Sequence, residues 1–313
     1  METEQPLVRI SVRNLVEFIL RSGDIDNRAG GADKDAMLLG GKIHRKIQRR
    51  MGADYHAEVA MKMEIPCRGF ILSVEGRADG VIETPSGIVI DEIKGIYKEL
   101  ELLKEPVPVH LAQAKCYAYI YASQQSLEEI GVQMTYCNMD TEDIKRFQSV
   151  HQTESLKEWF LGIVGQYEKW AGFQIEWREK RNASIREVHF PFAYREGQKK
   201  LTAAVYRTIE QKKKLFIQAP TGVGKTIATV FPSIKAMGEG LGEKLFYLTA
   251  KTITRTVAWQ AFETLRDQAL RMKVIVLTAK ERSASVKRRN ATRTPAPMRK
   301  VISIGSTMPS MSF

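Results

Sequence analysis

Apolar positions along the chain follow two rhythms. From Ser11 to Gly23 they recur at Val12, Leu15, Val16, Phe18, Ile19 and Leu20, one face of a helix, with Ser11 placed to cap its start and Gly23 to stop it. Asp24–Asp35 is polar and glycine-rich and reads as a loop. Ala36–Met51 predicts a second helix, carrying His44 among Lys42, Arg45, Lys46, Arg49 and Arg50. The period then drops to two, and Glu58–Pro66, Ile71–Glu83 and Gly87–Lys94 alternate as strands. Val109–Ser123 returns to a helix, Val132–Asn138 to a strand, and Thr153–Arg181 to a long amphipathic helix. That order predicts one α/β domain over residues 1–180.

A polar link over 181–189 precedes a new pattern. An aromatic lead-in (Phe190-Pro191-Phe192-Ala193-Tyr194) is followed by a helix over Arg195–Gln211 and a strand over Leu215–Ala219. A glycine loop, a helix from Lys225 and a strand over Lys244–Thr249 come next. Strand, loop, helix and strand in this order open a parallel sheet, so residues 190–281 are expected to form the first part of a second α/β domain.

Composition narrows the class. The 313 residues fit two domains, and no apolar run nears the roughly 18 residues of a membrane span. The leading METEQPLVRI is acidic before it is apolar and lacks a signal-peptide layout, so a cytoplasmic location without membrane contact is expected. Cys67, Cys116 and Cys137 lie far apart with no CxxC spacing, which points to neither a disulfide framework nor a zinc site and fits a reducing compartment. The formal charge of +12 divides unevenly: seven Lys/Arg and no acid fall from Arg282 onward, leaving +5 over the first 281 residues.

The chemistry concentrates in Val74–Gly95. If Pro85-Ser86 are the two residues of a tight loop, Asp79 faces Glu92 across the hairpin, and Lys94 points to the same side. Thr84-Pro85-Ser86-Gly87 also fits a type I turn with a glycine bulge, which would set Asp79 opposite Ile93. Paired carboxylates can hold Mg²⁺ or Mn²⁺, and a nearby lysine can stabilise a phosphoryl transition state. An acidic strand pair with one lysine also fits a surface salt-bridge ladder. Asp91 and Glu92 follow apolar Ile88, Val89 and Ile90, so one of them should point inward, where an unpartnered acid is costly.

His44, Gly76-Arg77-Ala78-Asp79, Glu92-Ile93-Lys94 and Gln113-x-x-x-Tyr117 stand in one order. The array resembles the RecB-like branch of the PD-(D/E)xK nucleases over residues 10–140. The resemblance implies a restriction-endonuclease-like fold with a mixed sheet. It implies metal ligation by His44, Asp79, Glu92 and the Ile93 carbonyl, a catalytic Lys94, and site-shaping, DNA-contacting roles for Gln113 and Tyr117. Some relatives carry a cysteine-bound iron–sulfur cluster beside the nuclease, and the cysteines here have the wrong number and spacing for one.

The segment Ala219-Pro220-Thr221-Gly222-Val223-Gly224-Lys225-Thr226 fits a P-loop, following an expected strand and opening a helix. Backbone amides of Thr221, Gly222, Val223 and Gly224 would wrap phosphates. Lys225 would reach the β and γ phosphates of ATP, and Thr226 would ligate Mg²⁺. Arg195-Glu-Gly-Gln198 resembles the adenine-reading segment of superfamily 2 helicases, with Arg195 and Gln198 as nucleotide contacts. Tyr247–Arg255 resembles their motif Ia, which grips single-stranded backbone. With the aromatic lead-in these look like the iron–sulfur DinG/XPD-type DNA helicases, which implies a partial RecA-like lobe and DNA, single-stranded or branched, as partner in a repair setting. No DEAH-like acid follows Lys225, so the chain reads as part of a helicase/nuclease, with ATP bound but turned over poorly. The alternatives are an inactive ATP- and DNA-binding module or a gene remnant.

Arg282–Phe313 differs in kind: no acid, no cysteine, and one aromatic, the last residue. It reads as a disordered basic tail or as a frameshift product. Permissible codons at Ser283-Ala284, Asn290-Ala291 and Pro295-Ala296 each spell cysteine in the −1 frame. The back-translation resembles the start of the iron–sulfur insert of DinG/XPD-type helicases, a cluster expected in the full-length parent and not in this chain.

Overall fold

The computed structural model describes residues 5–21, 34–97, 99–220, 222–249 and 252–277, with backbone only at 34–38 and 252–254. Two compact units divide at Gly172/Phe173.

The first unit is built on a six-stranded mixed sheet. Its strands are β1 (Leu7–Ser11), β2 (Tyr55–Cys67), β3 (Phe70–Thr84), β4 (Gly87–Ile96), β5 (Glu129–Asn138) and β6 (Ile144–Gln152). The order is β1-β3-β4-β5-β6, with β2 paired to β3. β1 runs parallel to β3 and β4 parallel to β5, while the other pairs are antiparallel.

The helices are α1 (Val12–Ile19), α2 (Lys34–Gln48), α3 (Pro108–Gln125) and α4 (Thr153–Glu187), whose residues from Phe173 onward belong to the second unit. Ser11 caps α1 as expected, its hydroxyl accepting from the Asn14 amide at 3.1 Å. α2 docks by Ile43 and Ile47 on Ile93 and Cys137. α3 turns a run of small and aromatic residues inward, Ala112, Ala114, Cys116, Tyr117 and Ala118 among them.

Two strands escape the sequence pattern. β1 is five residues long and only half-buried. β6 (IKRFQSVHQ) is polar and exposed, and it becomes a strand because β5, buried along almost its whole length, supplies an antiparallel partner from Glu129 to Cys137. The polar stretch expected as a link is helical through Glu187, since Ile185 and Arg181 are buried and extend the helix's inner face.

The second unit carries α5 (Gln198–Glu210), α6 (Lys225–Gly238) and α7 (Thr252–Arg266). Its core joins Ile185, Val188, Ile227, Ile234, Phe262 and Leu265. The Lys235 ammonium donates to the carbonyls of Ile185, Arg186 and Val188, which closes the end of α4. Among the described residues of this unit no β-strand forms, contrary to the expectation for Leu215–Ala219 and Lys244–Thr249. A parallel strand is buried on both faces by neighbours, whereas Phe216 is 93% and Leu248 88% exposed. The residues from 278 onward, including the tail at Arg282–Phe313, lie outside the described part.

Candidate functional site

The β3–β4 hairpin takes the two-residue loop. Thr84 pairs with Gly87, and the ladder runs in register to Gly80 opposite Asp91. There it stops. Beyond that rung β3 pairs with β1 and β2, and β4 pairs with β5, so the two strands part and leave a fork. Asp79 and Glu92 occupy the first rung of the opening.

Each group at the fork is held from a different element. Asp79 Oδ2 accepts the backbone amide of Ile93 at 2.7 Å, so the side chain replaces the missing ladder bond. Asp79 Oδ1 meets Nδ1 of His44, from α2, at 3.1 Å. The Lys94 ammonium donates to Glu92 Oε1 at 2.6 Å and to Gln113 Oε1, from α3, at 3.2 Å. Tyr117, one helical turn on from Gln113, hydrogen-bonds with it. Gly76 explains its own position: a Cβ there would lie 2.5 Å from the Tyr117 hydroxyl. The structure thus brings His44, Asp79, Glu92, Lys94, Gln113 and Tyr117 together. Ile93 contributes its amide to Asp79, with its side chain buried beneath α2.

Electrostatics mark Glu92. It is 1% exposed, and its Oε2 has no hydrogen-bond partner. Burial, and then the Asp79 carboxylate, push its carboxyl up to about 8 against the opposing pull of Lys94. Burial works against the His44 cation, but the hydrogen bond and charge of Asp79 outweigh it and hold the imidazole above its usual value. Burial, then Glu92, raises Tyr117 to about 12, so it stays a phenol. Among the described residues no three His, Cys, Asp or Glu side chains stand as a ready-made metal cage. The orphaned Oε2 beside a second carboxylate is nonetheless the donor chemistry a divalent cation takes, so the residues fit one.

Sequence reasoning missed the hydrogen-bonded cluster around Asp91 on the other face of the sheet. Asp91, fully buried, accepts from Thr135 Oγ1 at 2.6 Å, Gln133 Nε2 at 3.1 Å and the Tyr55 hydroxyl at 3.2 Å. Burial raises its carboxyl, and these donors offset that. The readable signal was Gly80, directly after the candidate acid. A Cβ there would fall 2.1 Å from the Tyr55 ring and hydroxyl.

In the second unit the glycine loop leads into α6. Gly224 is the N-cap, with φ +70, and Gly222 has φ +85, both left-handed conformations that glycine adopts freely. Lys225 Nζ donates to the carbonyls of Ala219 at 2.8 Å and Pro220 at 2.7 Å. Gln198 Nε2 donates to Val223 at 3.1 Å, and its Oε1 accepts from the Arg195 amide. Arg195 donates to the Gly222 carbonyl. Thr226 Oγ1 accepts from Tyr247 at 3.5 Å. Arg195, Gln198, Gly222, Val223, Gly224, Lys225 and Thr226 therefore stand together, and Thr221 lies outside the described residues.

No helix among the described residues is long and apolar enough to cross a membrane. No curated protein matches the chain in sequence. Among solved structures it is similar to the crystal structure of SSO0001, at 17% identity and a TM-score of 0.36, over 53% of this chain and 78% of that one. Residues 196–304 match the DEAD/DEAH box helicase family, a segment that starts just after Arg195 and includes the glycine loop. That match supports a helicase-type domain, with the ATP use and nucleic-acid binding such a domain implies.

Proposed function

We propose that the first unit is a metal-dependent DNA phosphodiesterase of the RecB-like PD-(D/E)xK kind. In this reading it is joined to an ATP-binding lobe of the DinG/XPD type that acts on single-stranded or branched DNA. The observation that carries the reading is the fork itself. Four separate sequence elements deliver His44, Asp79, Glu92, Lys94, Gln113 and Tyr117 to one opening in the sheet, where Glu92 Oε2 is left without a partner.

Asp79, Glu92, His44 and the Ile93 carbonyl would hold Mg²⁺ or Mn²⁺, which supplies charge neutralisation at the phosphate and a water nucleophilic at neutral pH. Lys94 brings a positive charge to the same opening, where it would stabilise the charge that develops on a phosphoryl group. Gln113 Oε1 and Glu92 Oε1 fix the ammonium between them, which pre-orients it. Tyr117 holds Gln113 in turn.

In the second unit, Lys225, which here donates to the Ala219 and Pro220 carbonyls, would hold the β and γ phosphates of ATP, and Thr226 would ligate Mg²⁺. Arg195 and Gln198 line the nucleotide end of the loop.

The test is Mg²⁺-dependent cleavage of single-stranded DNA by the full chain. Cleavage disappears with chelator and in Asp79→Ala and Lys94→Ala. Cleavage that survives either substitution overturns the reading. A second reading, an inactive ATP- and DNA-binding module, is favoured by the Asp79 Oδ2 bond to the Ile93 amide, which occupies a would-be metal ligand. It predicts DNA binding with no cleavage under any divalent cation.

A further inference from the structure

Asp79 is skipped by the ladders on both of its sides. On the β4 side pairing ends at Gly80. On the β2 side the rungs Ala57–Gly80 and Val59–Ala78 form, but Glu58, opposite Asp79, is turned out of the strand with φ +58, a left-handed conformation rare for a glutamate. The Asp79 carbonyl, which a regular rung would have used, accepts instead from Gln48 Nε2 at 2.9 Å and the Tyr55 hydroxyl at 3.3 Å.

Both donors are themselves anchored. Gln48 also donates to Glu58 Oε1 at 3.3 Å, so it bridges the two residues of the broken rung. Tyr55 crosses over Gly80, where no side chain stands, and reaches the buried Asp91 carboxylate. Asp91 is fixed by Thr135 and Gln133, and Gln133 Oε1 accepts from Gln148 Nε2 at 2.7 Å.

We propose that Tyr55 and Gln48 are positioning residues that set the main-chain placement of Asp79, and so the aim of its carboxylate at the cation site. The inference rests on the metal reading of the fork. The logic is geometric. A residue released from two ladders has its φ and ψ freed, and its carboxylate would wander unless its main chain were pinned some other way. Gln48 Nε2 and the Tyr55 hydroxyl, whose one proton is shared between this carbonyl and the Asp91 carboxylate, supply the pin. The break in the β2 rung at Glu58 leaves that carbonyl to them.

The experiment is Mn²⁺ titration of the full chain by calorimetry, without nucleotide, on the wild type, Asp79→Ala, Tyr55→Phe, Gln48→Ala and Gly80→Ala. The wild type should bind one Mn²⁺ that Asp79→Ala loses. Tyr55→Phe and Gln48→Ala should each weaken that site about five- to ten-fold. Gly80→Ala, whose methyl displaces Tyr55, should match Tyr55→Phe. Hydrogen exchange of β2 and β3 amides in each variant reports folding separately, and Gln48→Ala at a half-exposed helix position keeps the test alive if Tyr55→Phe folds poorly. Asp79-dependent Mn²⁺ binding that is unchanged in both Tyr55→Phe and Gln48→Ala overturns the positioning role alone. No Asp79-dependent binding in the wild type overturns the metal reading, and this inference with it.

Discussion

Replacing Glu92 by glutamine should stabilise the protein, and only at high pH. The carboxylate is buried, one oxygen is unpartnered, and its carboxyl is raised from 4.5 to about 8. A group raised in the folded state binds more protons there than in the unfolded chain, so wild-type stability is full below about pH 4.5 and falls as pH rises toward 8. At about 1.4 kcal/mol per pH step this costs on the order of 5 kcal/mol once both states are ionised. Glutamine removes the cost but holds Lys94 less well than an anion does, which takes back about 1–2 kcal/mol. The net gain at pH 8.5 is then about 3–4 kcal/mol, against a difference within about 1 kcal/mol at pH 5. Urea-dependent hydrogen exchange of the β4 amides in the full chain, with chelator present, measures both. A variant no more stable than wild type at pH 8.5, or a difference that does not change with pH, would refute the reasoning. The same substitution should abolish metal-dependent cleavage, so stability and activity move in opposite directions.

Other outcomes follow from particular contacts. His110 is held down to about 4, by burial first and then by the Lys94 and Arg13 charges. The unfolded chain therefore takes up the proton first, and stability present above about pH 6.5 is lost as pH falls toward 4. Discounted for partial solvent access this is about 1–2 kcal/mol, and a pH series of thermal melts that is flat over that range contradicts it. Gly76→Ala should cost about 1–3 kcal/mol through its collision with the Tyr117 hydroxyl. Adding Tyr117→Phe should recover part of that, measured as a double-mutant cycle. ATP at about a hundred times its dissociation constant should stabilise the second unit by about 2.7 kcal/mol, and Lys225→Ala should remove the shift in a thermal melt.

Much of the first unit was legible because its periodicity and its chemistry coincide. The α2 and α3 helices and the β3 and β4 strands follow from residue spacing, whereas spacing left the turn at Pro85-Ser86 open between two registers, and α3 and the middle of β4 are buried on more faces than a single stripe or strict alternation predicts. β1 and β6 were not legible, since one is short and the other polar, and each is a strand through its partner's backbone. In the second unit the apolar runs at Leu215–Ala219 and Lys244–Thr249 carry strand propensity, but pairing is a property of neighbours, which propensity cannot supply. At the fork, His44, Asp79, Glu92, Lys94, Gln113 and Tyr117 could be found by type and order. Tyr55 and Gln48 could not, because their role arises from the broken rung at Glu58 and the close approach over Gly80, and the spacing marked one of Asp91 and Glu92 as inward where the structure buries both.

The central claim is that Asp79 and Glu92 share one divalent cation where β3 and β4 part. Loading the full chain with Fe²⁺ in place of Mg²⁺, adding peroxide and ascorbate, and mapping backbone scission reads that location directly. The account predicts cuts in β3 around Asp79 and in β4 around Glu92, suppressed by excess Mg²⁺ and absent in Asp79→Ala. Cuts confined to the glycine loop, or cuts at the fork that persist in Asp79→Ala, would contradict it.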